Sequence, residues 1–163
     1  VRLKLRSADF FSESAVYGLV MVSAFLMVTN RSDVTSRDVF IKVLVAVVVL
    51  WIAHMFAAGV AHLSKVANSE APLLESARYA FSHSLGMLLA AILPLAIIFL
   101  GVVNLIRDDI ALWTALWVDV ALLGLLGYLS TTAWAQKPFL RWAVGGATAL
   151  LGVSIVILKT LAY

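Results

Sequence analysis

The sequence predicts an all-α polytopic membrane protein, a bundle of about five transmembrane helices, and three observations predict it. The 163 residues are 63% hydrophobic and 13% charged, against about 45–50% and about 25% in a soluble domain. The apolar residues fall in contiguous runs of roughly membrane-spanning length, such as VLVAVVVLWIAHMFAAGVAH at Val43–His62. These runs do not alternate polar with apolar. Helices are then the structures that satisfy every backbone N–H and C=O inside hydrocarbon. The length allows one integral membrane domain over 1–163 and no separate soluble module.

The formal net charge is +3 and the basic residues are scattered over loops, which argues against nucleic acid as a partner. The chain has no Cys, which excludes disulfides and thiolate chemistry. Its opening, VRLKLRSADFF, carries no signal-peptide apolar segment.

Taken in order, the predicted spans are about 8–29, 40–64, 84–106, 110–130 and 139–161. The first, FFSESAVYGLVMVSAFLMVT, has Asp9 and Glu13 at its start. It is long enough to cross only if Glu13 lies at the interface or faces protein. Asn30–Lys42 reads as a polar hairpin loop, and Asn30-Arg31-Ser32 within it is a chance match to a glycosylation acceptor. The second span runs from about Val39 to Lys65. Between it and the third, Pro72 at a first helical turn, Glu75 against the dipole, and Leu74, Ala77, Ala80 and Phe81 at helical spacing predict a separate interfacial helix. Pro94 should kink the third span. Arg107-Asp108-Asp109 reads as a tight turn into the fourth. Ser130–Pro138 links to the fifth. Trp134, Trp142 and Tyr163 fall at span edges, where amphipathic rings settle. Ala57 and Ala61, Gly124 and Gly127, and Gly145, Gly146 and Gly152 supply small-residue packing faces.

Five spans place Arg2, Lys4, Arg6, Lys65, Arg78, Lys137 and Arg141 on one side and Arg31, Arg37, Lys42, Arg107 and Lys159 on the other. The bias sets the N-terminus in the cytoplasm, with the plasma (inner) membrane as the expected location.

Asp119 is the sharpest chemical signal. It lies ten residues past Asp109, about 15 Å into the membrane at ~1.5 Å per residue. A carboxyl there costs at least ~2.5 kcal/mol to insert, so it should face protein or water, paired or protonated. The functional reading is an ion or proton site; the structural reading is a hydrogen bond between helices. His54 lies midway between Lys42 and Lys65 and is expected at the same depth, where it could pair with Asp119 as a gate or relay. Its structural alternative is a bond to a backbone carbonyl. Trp51 precedes His54 by one turn on the same face. Trp113 and Trp117 share a face before Asp119, as packing or as a hydrophobic constriction. Asp9, Glu13, His62 and His83 are ligand types gathered at one end, but their spacings match no zinc-helix signature, and a solvated, charge-paired helix end is the simpler reading. No metal or cofactor is assigned. No nucleophile with its base, Walker-type loop or dinucleotide glycine pattern is present, so the chain does not read as an enzyme.

Phe11-Ser12-Glu13 resembles the Phe-Ser-Asp signature that opens the first helix in bacterial relatives of the lysosomal potassium channel. Trp51-Ile52-Ala53-His54 is similar to that family's Trp-x-x-His pattern in the second helix, and Leu93-Pro94 to its apolar run ending in Pro. Arg6 precedes Phe11 by five residues where the family has four. Glu stands in place of Asp, Gly18 falls at a position often bulky, and five spans stand against six. The resemblance covers about the first hundred residues. It implies a tetrameric cation channel with the first span lining the pore, and Ser12 and Glu13 positioning that helix through Trp51 and His54.

The expected function is thus a small oligomeric channel or pathway for a cation, K⁺ or H⁺, with Asp119, His54, Trp51, Ser12 and Glu13 as pathway or gating candidates. The lipid bilayer and further copies of the chain are the expected partners. The alternative is a non-catalytic membrane subunit or assembly factor of a larger complex, with other membrane subunits as partners. A small secondary transporter ranks third, because no internal repeat accompanies the single Pro94 break.

Overall fold

The computed structural model describes residues 13–29, 35–66, 71–132 and 137–162. Among the described residues there are five helices: α1 Glu13–Thr29, α2 Ser36–Leu63, α3 Pro72–Val102, α4 Asp108–Thr131 and α5 Pro138–Ala162. Four of them, α2 to α5, are long and apolar enough to cross a membrane. The described part of α1 is apolar and spans 17 residues, a turn short of the ~20 needed to cross. The protein is all-helical and integral to a membrane.

The element boundaries follow from local chemistry. Thr35 caps α2: its hydroxyl accepts from the Asp38 backbone N–H at 3.3 Å and donates to the Asp38 carboxylate at 2.9 Å. The helix therefore starts at Ser36, inside the stretch read from sequence as a loop. At the far end of α3, Asn104 adopts φ 57°. The Leu105 N–H reaches the Leu100 carbonyl and the Asn104 N–H the Gly101 carbonyl, a Schellman closure. Asn is among the few residues that take the left-handed conformation readily, which stops α3 before the predicted 106. Asp108 and Asp109 occupy the first turn of α4 and complement its dipole, while Arg107 pairs with Asp109 at 3.2 Å in solvent.

The separate interfacial helix is corrected. Pro72 to Val102 is one helix of 31 residues that runs through Pro94. No helix breaker lies between the Phe81 and Ser84 turns, and Ser76, Ala80 and Ser84 continue the same buried stripe as Met87, Ala91 and Ile98.

All five helices contribute to one core. Val22 and Leu26 of α1, Val43 and Val47 of α2, Ala91 and Ile98 of α3, Leu112 and Leu116 of α4, and Val156 of α5 are buried together. Close approach depends on glycine at two seams. A methyl at Gly18 would lie 2.9 Å from the Met87 carbonyl oxygen, so α1 rests directly on the α3 backbone. A methyl at Gly145 would lie 3.0 Å from the Gly124 carbonyl oxygen, and one at Gly127 would collide with Thr148, so α4 and α5 meet along a glycine seam. Ala57 and Ala61, expected to pack, are exposed on the outer face of α2. The contact there falls instead on Gly59, where an added methyl would meet Ala80 of α3 at 3.4 Å.

One end of the bundle is fixed by Ser36, Gly101 and Ala111, which close on one another. That end gives a common level from which depths along the other helices can be counted.

Candidate functional site

Asp119 lies in the middle of α4 and is fully buried. The Ser23 hydroxyl of α1, also fully buried, donates to Asp119 Oδ2. Asp119 Oδ1 has no hydrogen-bond partner among the described residues. Around the pair stand Val22, Leu116, Val120 and Leu123, all buried. A single hydroxyl is thin compensation for a carboxyl in such surroundings, where an ionised group needs several.

His54 is elsewhere. Asp119 is eight residues on from Ala111 and His54 is 18 on from Ser36. At ~1.5 Å per residue these are about 12 Å and about 27 Å from the common level. The expected equal depth and the His54–Asp119 pairing are both corrected. The physical reason is the cap at Thr35. Counting the depth of α2 from Lys42 places its start about two turns too late and so moves His54 toward the midplane.

What surrounds His54 is a stack of rings. Tyr17 of α1 lies against it with centroids 6.1 Å apart and planes 23° from parallel. His83 of α3 stacks on it at 5.9 Å and 20°. Tyr79 follows at 5.4 Å and 10° from His83, and His62 at 4.1 Å and 15° from Tyr79. The ladder Tyr17–His54–His83–Tyr79–His62 thus holds all three histidines of the chain and crosses three helices. Local spacing builds it. Tyr79 and His83 are i, i+4 on α3, and His54 and His62 are eight residues apart on α2, so each pair shares a face. The α2–α3 seam at Gly59 and Ala80 brings those faces together.

Polar partners hold the ladder in place. His62 Nδ1 lies 3.4 Å from the Ser76 hydroxyl. Ser14 of α1 donates to the His83 backbone carbonyl at 2.8 Å. Trp51 packs edge-on against Phe81 at 6.0 Å. The indole N–H of Trp51 and Nε2 of His54 are buried without a hydrogen-bond partner among the described residues.

The remaining sequence candidates are placed as follows. Glu13 is exposed at the start of α1, one turn before Tyr17. Ser12 and Asp9 lie outside the described residues, as do Trp134 and Tyr163. Trp113 and Trp117 face outward, 39% and 51% exposed, so within one chain they form no constriction. Among the described residues no three of His, Asp and Glu gather as metal ligands. Sequence reasoning singled out His54 and noted His62 and His83, but it did not join them or include Tyr17 and Tyr79. The i, i+4 and i, i+8 spacings were the available signal.

Compared with family models, with curated proteins and with solved structures, the chain finds no match.

Proposed function

We propose that this integral membrane protein provides a proton pathway, with the ring ladder as its entrance and the Ser23–Asp119 pair as its interior stage. The observation that carries this reading is the ladder itself. Imidazole is the side chain that gains and loses a proton near neutral pH, and a hydroxyl or phenol can pass one on. The five rungs run from the bundle end at His62 to Tyr17, which is half-exposed on α1. Ser23 is six residues further along α1, about 9 Å deeper. Asp119 there is the sole acidic group buried among the described residues. An intramembrane carboxyl facing the bundle interior is a functional candidate by default.

H⁺ is favoured over K⁺ because, among the described residues, apolar side chains occupy the interior through which a hydrated ion would have to pass. The bundle axis is filled by Leu19, Val22, Leu26, Leu116 and Leu123. A K⁺ route would run between copies of the chain, whereas a proton can move along side chains.

The test is flux into liposomes containing the purified protein and a pH-sensitive dye. Wild type should dissipate a pH gradient. His54→Phe and His83→Phe, which keep ring size and stacking, should slow it about ten-fold or more, since a positioned proton-transfer group typically contributes at least that much. Asp119→Asn should do the same. Unchanged flux in all three variants refutes the pathway. No flux from wild type, with a second chain co-purifying, favours a subunit of a larger complex instead.

A further inference from the structure

A groove of about 670 Å³ runs along the outer face of the α4–α5 seam. That is within the ~300–1,000 Å³ typical of small-molecule sites. Its floor includes Gly124, Gly145 and Gly146, and Trp117 and Leu125 stand at its side. At one end Tyr128 and Trp142 form its mouth, with ring centroids 5.1 Å apart.

Two features ask for an explanation beyond the packing of α4 on α5. Gly124 and Gly145 are accounted for by that packing, but a methyl at Gly146 would touch nothing within 4 Å. A helix-interior glycine is unfavourable relative to alanine, and no neighbouring helix requires this one. It keeps the groove deep. The second feature is charge. Arg141, Gly145 and Ala149 are spaced four apart on one stripe of α5, and Lys137 immediately precedes the helix. The stripe that floors the groove therefore continues one turn beyond Gly145 to Arg141, with Lys137 just before the helix.

We propose that this groove binds an anionic phospholipid. One acyl chain lies along the glycine floor and the phosphate meets Arg141 and Lys137 at the mouth. The length agrees. Trp117 to Tyr128 is 11 residues, about 16 Å, and one leaflet of a ~30 Å hydrocarbon core is about 15 Å deep. Tyr128 and Trp142 sit where amphipathic rings meet headgroups. Tyr128 adds a phenolic hydroxyl and Trp142 an indole N–H to that mouth.

The experiment places the purified full chain in vesicles of phosphatidylcholine and adds brominated phosphatidylglycerol or brominated phosphatidylcholine, reading quenching of tryptophan fluorescence. Phosphatidylglycerol should quench the wild type at lower mole fraction than phosphatidylcholine. The preference should fall about five-fold for each cation lost in Lys137→Gln and Arg141→Gln. Gly146→Leu, whose Cβ meets no neighbour within 4 Å and whose longer side chain would occupy the groove, should weaken quenching by both lipids. Equal quenching by the two lipids, or a Gly146→Leu variant that quenches like wild type, overturns the proposal. So does a second copy in the groove, seen as a dimer that Gly146→Leu dissociates. None of these readouts depends on proton flux.

Discussion

Ser23→Ala tests whether the buried Ser23–Asp119 contact is made, and its cost can be worked out from the surroundings. The substitution removes the one donor to Asp119 Oδ2 among the described residues, where Oδ1 already lacks a partner. Leaving a buried polar group unsatisfied costs roughly 1–3 kcal/mol. Measured side-chain hydrogen bonds between transmembrane helices average about 0.6 and reach about 1.7 kcal/mol. Full burial of both residues puts this one in the upper part of that range, so Ser23→Ala should destabilise the bundle by about 1–2 kcal/mol. Asp119→Leu should cost less or even stabilise, because it removes the polar group entirely and leaves Ser23 free to bond its own helix. The double variant should then match Asp119→Leu rather than the sum. The assay is reversible unfolding in mixed micelles titrated with denaturing detergent. A Ser23→Ala change within about 0.3 kcal/mol of wild type, or simple additivity in the cycle, would refute the contact.

Gly18 and Gly146 make a matched pair of substitutions to alanine. At Gly18 the new methyl meets the Met87 backbone at 2.9 Å, so Gly18→Ala should destabilise by roughly 1–3 kcal/mol, whereas Gly146→Ala should be neutral or stabilising by up to about 1 kcal/mol; equal effects in the same micelle assay would contradict the α1–α3 seam.

The helices were legible from hydrophobicity alone, because lipid exposure makes nearly every residue of a span apolar. Boundaries were less so. Thr35 and Asn104 carried the start of α2 and the end of α3, and each is a short-range signal easily lost in a polar stretch. Asp119 stood out because nothing else charged lies within its run. Its partner did not, since a serine in a transmembrane helix has no distinguishing neighbourhood. The ladder is a tertiary object. Its rungs come from positions 17, 54, 62, 79 and 83, and only the packing of α2 against α3 at Gly59 shows which faces meet. The packing role assigned to Ala57 and Ala61 failed for the same reason: small residues mark a seam only when the neighbouring helix lies on that side.

The unequal lengths of the helices have a topographic consequence. From the shared level at Ser36, Gly101 and Ala111, α2 continues 27 residues to Leu63 and α4 only 20 to Thr131, about 40 Å against about 30 Å. The surplus collects at a single rim, where α2 and α3 overhang the rest by roughly two turns. A ~30 Å slab of hydrocarbon matched to α4 leaves His62, Tyr79 and Ser76 standing among the lipid headgroups. His54 and His83 then sit at the waterline. The outermost imidazole, His62, therefore stands at the level of the headgroups, beyond the hydrocarbon that surrounds Asp119.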